Sequence, residues 1–384
     1  MLALRGIYKE KEKRFFYIKI IIIMWQNDKR MLIINSKKVK NNIIKGGINI
    51  MFLPKRVLYE KDSENYELGQ YLLNLYKSKG IECDVIENHN NIEEMRKKEN
   101  SEFRDMKQNL IIGIRKTHKF VENHKISNYL VPYTSSGCVA MCLYCYLVCN
   151  FNKCSYLRLF VNREEMLNKI IKVANSTDDN LVFEIGSNSD LILENTITNN
   201  LVWTIENFAK SPKGMLTFPT KFGMVDPILN LNHNGKIIVR MSVNPSEIIK
   251  NIEIGTSPLK VRIEAINKLK QADYKVGILI APVIFLDNWK DLYEELIKYL
   301  YENLSESVKK DVFFEIIFMT YSFVHRAINT EAFPTTQDLY DKEKMTGRGM
   351  GKYTYKPEYK KEGEQFFKEK LKKYFPNNEI KYIV

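Results

Sequence analysis

No apolar run near the start of this 384-residue chain reaches the roughly 20 residues that a spanning helix needs. The one candidate, Phe15–Trp25, is shorter and is broken by Lys19. No small-residue cleavage site follows it, which argues against a secretory leader. Cysteine is scarce as well: there are six, all between Cys83 and Cys154, and five of them fall between Cys138 and Cys154. A disulfide scaffold would spread them along the chain, so the clustering points to a metal centre in a reducing cytoplasm, with no membrane partner. Internal repeats and long linkers are missing too, which favours one main domain with short appendages.

Acidic residues fall short of basic ones by a net +13, but the excess is local. Residues 1–50 hold twelve Lys/Arg against three Asp/Glu, so only +4 belongs to the rest of the chain. That makes charge weak support for nucleic-acid binding, although a local basic groove suffices for phosphate contacts. The first fifty residues are an Ile/Lys/Asn-rich leader without helical or strand period, open to three readings. It is a disordered or loosely helical basic segment, or a membrane-surface or DNA-binding arm, or a mis-assigned start. Lys45-Gly-Gly-Ile-Asn-Ile-Met51 back-translates to a ribosome-binding site at ordinary distance from an ATG, and the expectation is that Met51 initiates the protein.

What is present is Thr134–Leu147, which puts Cys138, Cys142 and Cys145 in a C-x3-C-x2-C array. Thiolates are the usual ligands of iron–sulfur clusters. Three of them on a four-iron cube leave one iron without a protein ligand, open to bind a small molecule. A structural zinc site is the competing reading, with Cys149 as fourth ligand, but zinc commonly takes two separated ligand pairs and no second pair follows. Buried free cysteines are the other.

Strand-like and helix-like runs alternate along the chain. An extended stretch over Phe52–Glu60 precedes an amphipathic helix over Tyr66–Lys79, stopped by Gly80. Strands are expected over Ile81–Ile86, Leu110–Ile114 and Tyr129–Tyr133, the last presenting the cysteine loop at its C-terminal end. Tyr156–Val161 reads as a strand edge, Arg163–Ala174 as a helix, Leu181–Gly186 as a strand and Leu191–Lys210 as one helix. Strands at Met215–Phe218, Lys236–Asn244, Val276–Phe285 and Val312–Met319 alternate with helices at Leu259–Gln271 and Trp289–Leu304. The tail reads as a Gly-rich turn, Gly347–Gly351, between two short antiparallel strands, then a helix over Glu362–Tyr374 and a strand over Glu379–Val384. This repetition calls for an α/β fold with a parallel sheet and right-handed crossovers.

The cysteine array, with Tyr144 directly before its last member, resembles the radical S-adenosylmethionine (SAM) superfamily. Further stretches resemble the spore photoproduct lyase family within it. They are Phe52-Leu-Pro-Lys-Arg-Val57, Tyr156-Leu-Arg-Leu-Phe-Val-Asn162, Ser189-Asp190, Thr220-Lys221-Phe222, His233-Asn-Gly-Lys236, Ser242-Val-Asn244, Gly255-Thr-Ser-Pro-Leu259, Arg262-Ile-Glu-Ala265, Ala281-Pro282 and Gly351-Lys-Tyr353. The agreement is collinear from about Met51 to the C-terminus. It implies an incomplete (β/α) barrel of radical SAM type with a C-terminal β-hairpin and flanking helices. Residues 51–384 would form the catalytic domain, with an N-terminal α/β appendage.

By that resemblance Cys138, Cys142 and Cys145 hold a [4Fe-4S] cluster, and Ser189, Lys221 and Ser242 contact SAM. A cationic Lys and two hydroxyls suit a carboxylate and a ribose. Tyr144 and Tyr146 stand near substrate, and Arg348, Lys352 and Tyr353 in the hairpin contact DNA. The implied activity is reversal of the methylene-bridged thymine dimer, the spore photoproduct, in UV-damaged double-stranded DNA, with flavodoxin or ferredoxin as electron donor. The competing readings are a family member with another substrate and a non-catalytic lesion-binding protein. Two departures stand out. The family's hydrogen-donating cysteine, two residues before the Ser-Asp pair, is Ser187 here, so either another cysteine serves, with Cys149 and Cys154 the nearest in sequence to the cluster, or deoxyadenosine returns its hydrogen directly. The hairpin also lacks the family's tyrosine after the arginine, where Gly349 stands.

Overall fold

The computed structural model describes residues 52–149 and 154–384. The readings of residues 1–50 lie outside the described residues, which form one compact unit.

Eighteen strands are described. They are β1 (Arg56–Glu60), β2 (Glu82–Ile86), β3 (Asn109–Gly113), β4 (Val121–Glu122), β5 (Tyr129–Val131), β6 (Ser135–Ser136), β7 (Met141–Cys142), β8 (Leu157–Phe160) and β9 (Val182–Ile185). They continue as β10 (Met215–Thr220), β11 (Ile237–Val243), β12 (Glu253–Ile254), β13 (Lys275–Val283), β14 (Phe313–Phe318), β15 (Thr320–Ser322), β16 (Met345–Gly349), β17 (Lys352–Tyr355) and β18 (Ile380–Ile383). The main helices are α1 (Glu67–Ser78), α2 (Arg163–Ala174), α3 (Leu191–Thr198), α4 (Asn200–Phe208), α5 (Leu259–Gln271), α6 (Trp289–Asn303), α7 (Phe323–Ala332) and α8 (Pro357–Tyr374).

The larger sheet is an open half-barrel in the order β18-β14-β13-β11-β10-β9-β5-β4. Its neighbours run parallel apart from the β4–β5 pair. β11 is buried over its whole length, the state of a parallel strand covered on both faces. Side chains alternate faces along a strand, so Arg240, two residues before Ser242, points into the barrel beneath the cavity described below. It bridges Glu184 at 2.7 Å and Glu315 at 3.0 Å. Burial opposes its charge, and the two carboxylates more than restore it.

The smaller sheet, β2-β1-β3-β8-β6, is parallel except for the last strand. It has its own core: Leu68, Leu72, Leu73 and Tyr76 of α1 pack on Val57, Leu110, Ile112 and Leu159. Each such side chain contributes roughly 1.5–3 kcal/mol. The last small sheet, β15-β17-β16, is the C-terminal hairpin joined to the chain that leaves β14.

Four expectations need correction. Leu191–Lys210 is two helices, because Asn199 takes a left-handed conformation (φ 55°) between them. Asn195 Oδ1 accepts the free N–H groups of Leu201 and Val202 and so caps the second helix from within the first. Tyr156–Val161 is no edge: β8 is fully buried between β3 and β6. Gly347-Arg348-Gly349 belongs to strand β16, and the hairpin turns at Met350-Gly351, both with positive φ. α8 starts at Pro357, ahead of the expected Glu362, because proline suits the first helical turn.

Candidate active site

The half-barrel opens at the C-terminal ends of its strands into a cavity of ≈ 300 Å³. Cys138, Cys142, Cys145, Tyr144, Tyr146, Ser187, Ser189, Lys221 and Ser242 all line it. Residues spread over more than a hundred positions thus share one wall system, as ligand sites in parallel α/β folds do.

The cysteine loop is fastened at several points. Gly137 (φ 76°) lies so close to β8 that a Cβ there would sit 1.9 Å from the Tyr156 carbonyl oxygen, so only glycine fits. Its N–H bonds to the Asn188 carbonyl at 2.7 Å, and Cys138 N–H to the Ser155 carbonyl at 2.9 Å. β7, which contains Cys142, pairs antiparallel with β12, placing Cys142 opposite Glu253. The buried Lys107 ammonium donates to the Ser155 carbonyl and hydroxyl at 2.9 Å and also to the Cys138 carbonyl. Burial pushes the Cys138 thiol up to about 12 against the pull of Lys107, and pushes Cys142 up as well. Bare thiolates are therefore disfavoured on this wall, and a cationic group that binds them would bring them out. Among the described residues, no three His, Cys, Asp or Glu side chains are grouped to hold a single metal ion.

Elsewhere in the cavity lining, Lys221 Nζ donates to Ser242 Oγ (2.6 Å), the Ala281 carbonyl (2.7 Å) and Glu253 Oε1 (3.0 Å). Glu253 is the hub of this wall. It is fully buried and accepts from Asn244 Nδ2 at 2.9 Å, from Arg262 at 2.6 Å and from the Tyr144 hydroxyl. Burial alone would raise its pKa, but Lys221 and Arg262 override that and hold it down to about 2. Ser189 is oriented from the other side. Its hydroxyl lies 2.7 Å from that of Ser135, which reaches the buried Glu194 carboxyl at 2.6 Å. Asp190 caps α3 through Leu193 N–H at 3.2 Å and accepts Lys221 N–H at 2.8 Å, joining the ends of β9 and β10.

Tyr146 is 53% exposed, yet its hydroxyl donates to the Ser187 carbonyl, so the phenol stands over that residue. Cys149 is not brought to the cavity wall. It is exposed, with Sγ 3.5 Å from Ser322 Oγ, which is in turn 2.6 Å from His325 Nδ1. Cys154 is fully buried, and its thiol is pushed up to about 12 by burial. Arg348 and Lys352 are exposed on the hairpin, whereas Tyr353 is half-buried against Tyr340, ring centroids 4.5 Å apart.

Sequence reasoning missed Glu253, Lys107 and Glu194. No spacing marks them, because each acts on residues far away in the chain: Tyr144 and Glu253 are 109 positions apart. Arg262 stood in a matched stretch without a role.

A half-barrel carrying three thiols, a lysine and two serines at the C-terminal strand ends defines a radical SAM enzyme. The family model for spore photoproduct lyase matches residues 52–384, and the chain belongs to that family. It is 35% identical to the spore photoproduct lyase of Bacillus subtilis (strain 168) over 342 residues, covering 86% of this chain and 98% of that protein. To that of Clostridium acetobutylicum it is 32% identical over 337 residues, covering 86% and 98%. Among solved structures, a spore photoproduct lyase complexed with dinucleoside spore photoproduct superposes with a TM-score of 0.81 at 29% identity. The match covers 87% of this chain and all of that one. A doubly substituted form with AdoMet and the same dinucleoside bound matches equally well, also at a TM-score of 0.81.

Proposed function

We propose that this chain repairs the spore photoproduct in UV-damaged double-stranded DNA, returning it to two thymines by radical SAM chemistry. The observation that supports the reading most is the shared cavity, whose lining brings together the three thiols with Lys221, Ser242 and Ser189.

Cys138, Cys142 and Cys145 would hold a [4Fe-4S] cluster, and the donor set fits: three soft ligands and no fourth cysteine on the cavity wall. Lys221, Ser242 and Ser189 would orient SAM, the ammonium facing its carboxylate. When bound, cluster and SAM together supply a carbon-centred radical able to take a hydrogen atom from substrate. The chain's own work is positioning. Glu253 fixes the Tyr144 phenol and Lys221 in one hydrogen-bonded unit, so both are held in place without substrate. The apolar lining, including Leu147, Leu279 and Phe318, excludes water from the radical. Tyr146 would face the lesion from beside Ser187 and give up its phenolic hydrogen atom to the product radical, becoming a phenoxyl radical, a reading supported by its place in the cavity lining, which Cys149 does not share. Flavodoxin or ferredoxin would supply the electron.

The test is anaerobic assay of the reconstituted protein with SAM and dinucleoside spore photoproduct, following both thymine dinucleoside and deoxyadenosine. Formation of both is the expected result. Deoxyadenosine without thymine product would point to another substrate.

A further inference from the structure

Lysine is almost never fully buried unless it is paired, yet Lys107, which ends the short helical turn Phe103–Met106 ahead of β3, is 1% exposed. An ammonium has three protons to donate and accepts none. Those of Lys107 meet the Cys138 carbonyl, the Ser155 carbonyl at 2.9 Å and the Ser155 hydroxyl at 2.9 Å. All three acceptors are neutral. Among the described residues no carboxylate stands within ion-pair distance of it, whereas the buried Arg240 and Arg262 each have theirs. Burying a charge without an opposite one is costly, so this ammonium is held in place but not compensated.

What surrounds it is the thiol loop. Cys138, whose carbonyl it takes, and Cys145 both line the cavity. Ser155 connects it to the second of them. The buried Ser155 hydroxyl lies 3.9 Å from Cys145 Sγ. Because the hydroxyl oxygen accepts from Lys107, its own proton is left to point at that sulfur, and a thiolate, having no proton, can only accept it. Donors thus run in line from ammonium to hydroxyl to sulfur. The Ser155 carbonyl also accepts Cys138 N–H at 2.9 Å, so both cysteines are tied to the residue that Lys107 grips.

We propose that Lys107 is a positioning residue that acts with Ser155 as the buried counter-charge of the three thiolates and raises the reduction potential of the cluster they would hold. The proposal rests on the cluster reading given above, which by itself needs only the three thiols. The step concerned is a one-electron reduction by the flavodoxin or ferredoxin already named, with no bond made or broken. An added electron makes the thiolate-bound group more negative. A fixed cation in a poorly polarisable interior lowers that cost, and net charge and hydrogen bonds to sulfur are what place such potentials.

The experiment measures the midpoint potential of the reconstituted full chain by redox titration followed by absorbance and EPR, in wild type, Lys107→Gln, Lys107→Arg and Ser155→Ala. Glutamine keeps a hydrogen-bond donor and drops the charge; arginine keeps the charge. Reduction should become about ten-fold less favourable in Lys107→Gln, the order expected of one nearby charge, which for a one-electron couple is about 59 mV more negative. Lys107→Arg should stay near wild type, and Ser155→Ala should shift the same way by less. A second readout needs neither reduction nor turnover: the rise in melting temperature on cluster reconstitution should be smaller in Lys107→Gln, whose apoprotein carries no uncompensated charge for the cluster to satisfy. An unchanged potential or an undiminished rise in Lys107→Gln overturns the proposal. So does an equal shift in Lys107→Gln and Lys107→Arg, which would make side-chain shape the cause. If Lys107→Gln takes up no cluster while Lys107→Arg does, the charge is required and the proposal stands; if neither does, the lysine only shapes the loop and the proposal falls. Wild type without a four-iron cluster overturns the cluster reading and this role together, whereas an unchanged potential overturns this role alone.

Discussion

The cavity wall around Glu253 and the hairpin edge around Phe323 treat charge in opposite ways. At the wall, every cation has its partner: Lys221 and Arg262 share one fully buried carboxylate, which also takes the Tyr144 hydroxyl. At the edge, Arg348 and Lys352 are left to solvent beside an aromatic ring and a methionine. A small ligand must meet groups already in place, since reorganising them during reaction costs rate. On the proposed reading a duplex would bring its own phosphates and stacked bases, which would account for partners left unfilled at the edge. The contrast separates what is preorganised for chemistry from what waits for a macromolecule.

The most severe break should come at the thiols. Changing any one of Cys138, Cys142 or Cys145 to Ala should abolish the four-iron absorbance of reconstituted protein and its SAM cleavage. A single such variant retaining full absorbance would redraw the ligand set.

Next in size is Glu253→Ala, which strands Arg262 and Lys221 without their carboxylate. Removing one partner of a buried pair costs about 3–5 kcal/mol, so thermal melts should shift clearly downward. Its sign with pH is fixed by the depressed pKa. The carboxylate's stabilisation is fully present above its ordinary value of 4.5 and is lost as pH falls toward about 2. Wild type should therefore lose up to roughly 3 kcal/mol across that window from this group, and Glu253→Gln should show a flatter acid melt. Equal slopes would mean that the hub does not carry the charge assigned to it.

Hydrogen return gives a subtler effect, on products instead of rate alone. Tyr146→Phe should divert product into reductant adducts and lower deuterium uptake in deuterated water, whereas Cys149→Ala should change little. Ser187→Cys should give cleaner repair, because a thiol there would sit against the Tyr146 phenol. The reverse pattern would return the donor role to Cys149.

The smallest effect is expected at the edge. Arg348→Ala or Lys352→Ala should weaken duplex binding about equally for all sequences and lower the salt slope by roughly one each. A slope that does not move would place the phosphates elsewhere.

The sequence by itself determined the thiol loop, because its three cysteines lie within eight residues and their spacing survives any folding of the rest. It also determined the alternation of strands and helices, since burial periodicity is local: Arg163–Ala174 and Leu259–Gln271 fall where their patterns end. Matched motifs brought Ser189, Lys221 and Ser242 into view, though not what holds them. Tertiary structure alone decided that Glu253 meets Tyr144, that Lys107 pins the thiol loop, that Asn199 breaks a helix and that Cys149 misses the cavity. Each of these depends on which strand lies beside which. Strand order is set by long-range packing, to which no residue's own neighbours in the chain bear witness.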